Sequence, residues 1–308
     1  MDVLLQTLPF FALMACGYGA ARIGIFGEEA TAALTKFVFY FALSAMLFGF
    51  AAKLDLAEAL NPQLGLAYLA SLIGVYLIAT LTAKIRRRGL DEIAVESQLA
   101  CIGNNGFLAI PLLLLVLGEA AIPSLLFMLS IDLLIFSSLI VILINAAKEG
   151  RVTGKALSRV GMGVLKNPMI VSLVLGLIVA KTHVPLPQPF WDFVDILGAA
   201  ATPCALFAIG ASLAARSAET WAVPAWLSFL KLIVHPALAF AFAVLFDLPP
   251  AIAAVMIATA AMPTAGNIYI IAASYGVAPQ RASATILISH IGAIVTLTTV
   301  LAIVVGWV

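Results

Sequence analysis

The chain has 308 residues, 64% of them hydrophobic and only 10% charged, with a formal net charge of +1. A soluble domain is about half apolar and about a quarter charged, so this composition excludes an ordinary globular enzyme. The near-neutral balance leaves no basic face for nucleic acid.

Apolar segments fall at 3–24, 31–52, 64–84, 92–117, 120–147, 168–183, 190–214, 222–246, 250–275 and 282–307. A helix needs about 20 apolar residues to cross a bilayer, so they predict an all-α integral membrane fold of ten transmembrane helices. The first opens on Asp2, not on Lys or Arg, so Leu13-Met14-Ala15-Cys16-Gly17 is read as membrane helix and not as a signal-peptide cleavage box. Cys16, Cys101 and Cys204 lie inside apolar segments without metal-ligand spacing and are expected to be small core residues. Trp191, Trp221, Trp226 and Trp307 fall near segment ends, as interface anchors do.

Two segments are interrupted. The fourth contains Gly103-Asn104-Asn105-Gly106 with Pro111 beyond, and the ninth contains Met262-Pro263-Thr264-Ala265-Gly266-Asn267. Unpaired backbone at membrane depth is costly unless it lines a cavity, and paired interruptions in two halves point to the substrate site of a repeat-built transporter. The chemistry suits that role. The half-helix starts expose N–H groups with partial positive charge that favour carboxylates, while the half-helix ends and unwound carbonyls favour cations. Asn104, Asn105, Thr264 and Asn267 add donors and acceptors, Gly103 and Gly106 permit the bend, and Pro111 and Pro263 break the ladder. The bland alternative is a pair of kinks whose polar groups satisfy one another.

The loops after segments one, three, five, seven and nine carry Arg22; Lys84, Arg86, Arg87 and Arg88; Lys148, Arg151, Lys155, Arg159 and Lys166; Arg216; and Arg281. The opposite loops carry only Lys53 and Lys181. The positive-inside rule therefore puts both termini outside the cytoplasm. With five segments per half, the second half is inserted upside down. Ser44-Ala45-Met46-Leu47-Phe48 echoes Pro203-Cys204-Ala205-Leu206-Phe207, and the same offset superimposes Asn104 and Asn105 on Pro263 and Thr264. The expectation is one membrane unit over 1–308, made of a five-helix repeat (1–150) and its inverted copy (151–308).

Other polar residues lie at membrane depth, where a charge defaults to a functional hypothesis. Lys231, with His235 one turn on, either counters an anionic substrate or snorkels to the interface. Asp132 either carries a proton or ligates Na⁺, or else ties helices together. His235 and His290 are the further coupling candidates, although a lone histidine such as His290 is more often a packing residue. Glu96 is expected to be wet, near the cytoplasmic end of its segment, and Lys36 to snorkel. Asp192 and Asp195 share a helical face but lack a third ligand, and read as an interfacial acidic turn.

Asn105-Gly106-Phe107-Leu108-Ala109-Ile110-Pro111-Leu112, Pro203 to Gly210 and Met262 to Asn267 are similar to motifs of the auxin efflux carrier family, and the resemblance covers essentially the whole chain. Ser44 departs from it, standing where that family often has proline. The family includes bacterial malonate-type carriers and plant auxin exporters. The resemblance implies a bile-acid-symporter-like fold in which segments four and nine cross, and an elevator mechanism on a dimeric scaffold. It also implies transport of a small organic anion, a carboxylate such as malonate or an auxin-like acid. No cofactor is expected; Na⁺ or H⁺ is the candidate coupling ion. The expected setting is a bacterial cytoplasmic membrane, with a homodimer as the working form. The alternatives are a Na⁺-coupled bile-acid-like anion symporter and a membrane ligand sensor that moves nothing.

Overall fold

A computed structural model describes residues 2–54, 61–149, 154–214 and 221–307. Arg151 and Arg216, counted above in the charge asymmetry, lie outside the described residues, as do the side chains of Lys155 and Arg159. The described chain is helical. In order it forms α1 (Asp2–Arg22), α2 (Glu28–Ala52), α3 (Pro62–Ile85), α4 (Leu90–Cys101), α5 (Asn105–Leu117), α6 (Glu119–Lys148), α7 (Gly154–Lys166), α8 (Pro168–Thr182), α9 (Gln188–Ala214), α10 (Ala222–Leu245), α11 (Pro250–Ala260), α12 (Asn267–Tyr275) and α13 (Pro279–Trp307). Six of these, α2, α3, α6, α9, α10 and α13, are long and apolar enough to cross a membrane. The fourth and ninth apolar segments each divide into two helices, α4 with α5 and α11 with α12. One helix was not anticipated: α7 carries Lys155, Arg159 and Lys166 among apolar residues, in a stretch too polar to read as a span.

The chain packs into two compact units that it enters repeatedly. The first holds α1, α2, the start of α6 through Phe127, α8, α9 and α5 from Gly106 onward. Its helices meet at glycines. A methyl group at Gly17 of α1 would land on the Phe207 carbonyl oxygen of α9, and one at Gly210 of α9 would land on the Met14 carbonyl oxygen of α1. Gly176 of α8 also lies close against Phe48 and Ala51 of α2, and Gly198 of α9 rests on Met46. In lipid, helices gain little from hiding apolar surface from one another, so this backbone approach supplies the packing that holds them.

The second unit holds α3, α4 with Asn105, α6 from Met128, and α10 to α13. Its helices are joined by polar side chains as well as packing: Thr80 Oγ1 to Ser97 Oγ at 2.9 Å, and Trp226 Nε1 to Thr82 Oγ1 at 3.2 Å. Glu96 corrects the sequence reading. It is not wet; its side chain is wholly buried, clasped at both oxygens by Arg86 and bonded at 2.5 Å by Arg281. Arg87 adopts left-handed backbone (φ 57°) just past the end of α3, which turns the chain back so that Arg86 reaches across to α4. Arg281 comes from the first turn of α13 and also lies 3.6 Å from Glu92. Three helices are thus joined through one carboxylate.

Removing one member of a buried ion pair leaves its partners uncompensated, at a cost of about 3 kcal/mol. Glu96→Gln is therefore expected to lower the thermal midpoint of the detergent-purified protein clearly. A variant melting with the parent would make the cluster incidental. Gly210→Val should likewise separate α1 from α9, with a loss of folded yield that fluorescence-detected size exclusion would register; an unchanged elution profile would refute the close crossing.

Candidate functional site

The ninth-segment interruption and the fourth-segment one as far as Asn105 lie in the second unit, and they are bonded to each other. α4 stops at Cys101, where Ile102 takes up extended backbone (φ −85°, ψ 120°) while still donating to Gln98 O at 3.0 Å. α11 stops at Ala260. Gly103 then stands opposite Thr264 as a single antiparallel rung, flanked by Asn104 N–H to Pro263 O at 2.8 Å and Ala265 N–H to Ile102 O at 3.1 Å. Among the described residues this is the only β-type pairing. Thr264 is fully buried and fastens the rung on two more sides. Its hydroxyl donates to Leu99 O at 3.0 Å, near the end of α4, and its N–H donates to Ser289 Oγ of α13 at 3.1 Å. Pro263 contributes a carbonyl and has no N–H to satisfy. Gly103 is required by space: a Cβ there would come within 2.9 Å of Asn105 Oδ1, 3.2 Å of Met262 Cβ and 3.3 Å of Lys231 Nζ.

Three polar residues predicted for function sit in π-helical turns. Asn105 opens one (Asn105–Ala109), Asp132 opens another (Asp132–Phe136), and Lys231 lies in a third (Leu230–Val234). Such wide turns are rare and concentrate at functional sites. Two have a cause in the sequence, since Pro111 and Pro236 follow directly, lack a donor and crowd the preceding turn. Around Asp132 the wider turn is lined by Ser137, whose hydroxyl donates to the Asp132 carbonyl five residues back at 3.2 Å.

The turns turn their polar groups inward. The Asp132 carboxylate accepts Asn105 Nδ2 at 2.6 Å and the Tyr68 hydroxyl at 3.1 Å, and Asn105 Nδ2 also lies 3.2 Å from that hydroxyl. All three residues are buried, and Asn105 Oδ1 is left without a partner. Across α10, Lys231 is completely buried, so it does not snorkel. Its ammonium donates to Ala260 O, the last residue of α11, at 2.6 Å, and lies 2.9 Å from His235 Nδ1. A lysine only donates, so His235 accepts at Nδ1 and carries its proton on Nε2, which is buried and unpartnered. The Tyr68 and His235 rings, 6.4 Å apart, bring the carboxylate and ammonium clusters side by side.

Of the predicted site residues, Asn104, Asn105, Pro263, Thr264, Lys231, Asp132 and His235 are gathered here, all of them buried. His290 belongs to the same unit, but its Nδ1 lies 2.8 Å from Ile286 O, a bond within its own helix. Asn267 is exposed at the first position of α12. Gly106 and Pro111 fall in the first unit, where Gly106 faces Met169 and Leu43. Sequence reading missed Tyr68 and Ser289. Tyr68 carried a usable signal, because it lies well inside its segment rather than at the ends where aromatic anchors belong. Among the described residues no group of histidine, cysteine and carboxylate side chains could hold a metal ion.

Over residues 2–301 the chain matches a family described as membrane transport protein. It is 31% identical over 300 residues to the Rhizobium meliloti (strain 1021) protein named "Putative malonate transporter", with 95% of this chain and 92% of that one covered. It is 26% identical over 298 residues to the Escherichia coli (strain K12) protein named "Uncharacterized transporter YfdV", with 94% of each chain covered. With apolar helices of membrane-spanning length and two mutually bonded interruptions in one unit, the chain belongs to this membrane transport family, the auxin efflux carriers, and is a transporter and not an enzyme.

Proposed function

We propose that the protein is a secondary transporter of a small organic anion, with a carboxylate such as malonate as the first candidate, and that the substrate binds at the paired helix interruptions. The observation that carries this reading is the rung between Gly103 and Thr264, which holds two half-helix ends and their polar side chains together in one unit. The 31% identical relative named for malonate supports the choice of dicarboxylate. In this proposal the N–H groups at the start of α12 receive the carboxylate, and Asn104, Asn105, Thr264 and Asn267 of the same unit complete its hydrogen bonds. Pro263 shapes that start, Gly106 and Pro111 shape the start of α5 within the first unit, and Lys231 supplies fixed positive charge. Asp132, His235 and His290 are the candidates for carrying a coupling proton.

The same proposal takes the chain as ten spans in an inverted repeat. Its support is a recurrence of backbone at a spacing of about 160 residues. The left-handed turn residues Gly24, Arg87 and Gly118 recur at that spacing as His183, Asp247 and Ala278. The boundaries of α3 and α4 recur likewise in α10 and α11. The second unit, which holds the ninth-segment interruption and the fourth-segment one as far as Asn105, is the proposed carrier of an elevator motion, and the glycine-packed first unit is the proposed scaffold and homodimer contact. Both termini face away from the cytoplasm of a bacterial cell, by the distribution of Lys and Arg.

Labelled malonate uptake into proteoliposomes tests the substrate, and Asn267→Ala tests the site. Asn267 is exposed, so its truncation should leave the thermal midpoint unchanged and abolish uptake. Asn105→Ala should lose uptake and stability together, by about 1.5–3 kcal/mol, because a hydrogen bond to a buried carboxylate goes with it. Parental uptake by Asn267→Ala and Asn105→Ala alike would remove the site from the interruptions.

Orientation is checked with single cysteines in a background lacking Cys16, Cys101 and Cys204. A cysteine at Asn61 should react with an impermeant maleimide added outside cells, and one at Arg87 only after permeabilisation. External labelling at Arg87 would overturn the topology and with it the inversion.

A further inference from the structure

α3 and α10 close on each other at Gly74, where a Cβ would stand 3.0 Å from Leu238 Cδ1. Where α3 ends and α10 begins they leave a groove of about 380 Å³, lined by Thr82, Ile85, Arg86, Ala222, Val223 and Trp226. All six residues belong to the second unit. The groove is braced from below: Trp226 Nε1 donates to Thr82 Oγ1 at 3.2 Å, and Arg86 Nε donates to Thr82 O at 3.2 Å. Its walls are apolar and run on away from the charged end. Ile85 closes an exposed row on α3, Ile73, Leu77, Leu81 and Ile85, and the Trp226 ring stacks at 5.7 Å on Phe229, which is also exposed. Exposed apolar surface of this extent on a membrane-spanning helix meets acyl chains. The mouth of the groove is basic. Arg86 gives Nε to Thr82 and one hydrogen of each terminal nitrogen to Glu96, so each terminal nitrogen keeps a hydrogen for another acceptor. Beside it Lys84 and Arg87 are exposed and have no ion pair among the described residues, whereas Arg88 and Arg281 are paired to Glu92.

We propose that this groove binds an anionic phospholipid: the phosphate meets Arg86 and the charges of Lys84 and Arg87, and one acyl chain lies over Ile85, Trp226 and Phe229. Charge complementarity carries the choice of head group, since Lys84, Arg86, Arg87, Arg88 and Arg281 outnumber Asp91, Glu92 and Glu96 at this end. Basic pockets between membrane helices take up anionic head groups in this way. The apolar walls carry the choice of a lipid over a free anion, because a phosphate without a tail leaves them uncovered. The site is separate from the helix interruptions and needs only that the chain sits in a bilayer, so it goes beyond the transport reading. It also reaches into the fold: the phosphate and Glu96 share one guanidinium, so the lipid joins the cluster that fastens α3, α4 and α13.

The test uses the full-length protein in phosphatidylcholine vesicles without substrate, so it stands whether or not malonate is the cargo. Phosphatidylglycerol or phosphatidylcholine brominated along its chains is mixed in, bromine quenches indole fluorescence on contact, and subtraction of Trp226→Phe isolates Trp226. Each basic residue near a head group favours an anionic lipid about five-fold. Brominated phosphatidylglycerol is therefore expected to half-quench Trp226 at a mole fraction at least about five-fold below that of brominated phosphatidylcholine. Ala222→Phe, which fills the groove, should bring the two lipids level, and the double variant Lys84→Gln, Arg87→Gln should narrow the preference. Glycerol phosphate, which has no tails, should not displace the brominated lipid. Equal quenching by the two lipids overturns the proposal, and so does a preference undiminished in the double variant. A preference that survives Ala222→Phe overturns it as well, since the attraction then belongs to the whole basic end and not to the groove. Displacement by glycerol phosphate makes the site one for a soluble anion and overturns the lipid assignment. If Ala222→Phe does not yield folded protein, native mass spectrometry of the parent decides the same point: one retained phosphatidylglycerol per chain upholds the site, and none overturns it.

Discussion

The satisfaction of main-chain hydrogen bonds away from water governs this structure more than any other single constraint. An intact helix meets it alone, and a broken one cannot. Here two broken helices meet it for each other. One rung, Asn104 to Pro263 and Ala265 to Ile102, pairs the groups that the two interruptions release, and the Thr264 hydroxyl and the Lys231 ammonium reach carbonyls the rung leaves over. The composition of the interruptions follows from this. Proline at 263 removes a donor that would need a partner, glycine at 103 leaves room for the Asn105 amide and the Lys231 ammonium, and threonine at 264 brings a hydroxyl to the end of α4.

Among the described residues, the second unit buries Glu96, Asp132 and Lys231 by three different means. Glu96 is neutralised by two arginines that remain partly exposed, so the ion cluster keeps contact with water on its basic side. Asp132 is held by neutral donors, a tyrosine and an asparagine. Lys231 is held by a carbonyl and an imidazole. A carboxylate dressed by neutral groups keeps most of its charge available to act at a distance, since no counter-ion in contact cancels it. Glu96 therefore reads as a fastening between helices, while Asp132 and Lys231 have no counter-ion in contact.

Glycine does separate work in the two units. In the first, Gly17, Gly176, Gly198 and Gly210 let helices touch backbone to backbone, and their pattern is structural. In the second, Gly103 makes room for an ammonium and an amide. The distinction matters for reading variants. A larger residue at the first set loosens packing, whereas a larger residue at Gly103 strikes the polar groups of Asn105 and Lys231.

Much of this was legible in the residues alone, because hydropathy reports burial in lipid directly and glycine, proline and asparagine clusters report where helices stop. The apolar segments, the two interruptions, and the involvement of Asn105, Thr264, Asp132 and Lys231 came from such local signals. What the residues could not settle was partnership. Glu96 looked wet because it lies a turn or two inside its helix; only the left-handed turn at Arg87 and the start of α13 bring two arginines over it. Lys231 looked able to snorkel because its stem is long enough; the end of α11, 29 positions further along, offers it a carbonyl instead. Ser289 carried no local mark of what it binds, and Tyr68 only that it lies away from the ends of its segment. A one-dimensional sequence states which groups must be satisfied, and only the folded chain decides by whom, because the arginines of Glu96, the carbonyl that Lys231 meets and the donors of Asp132 come from other elements and reach their places through packing.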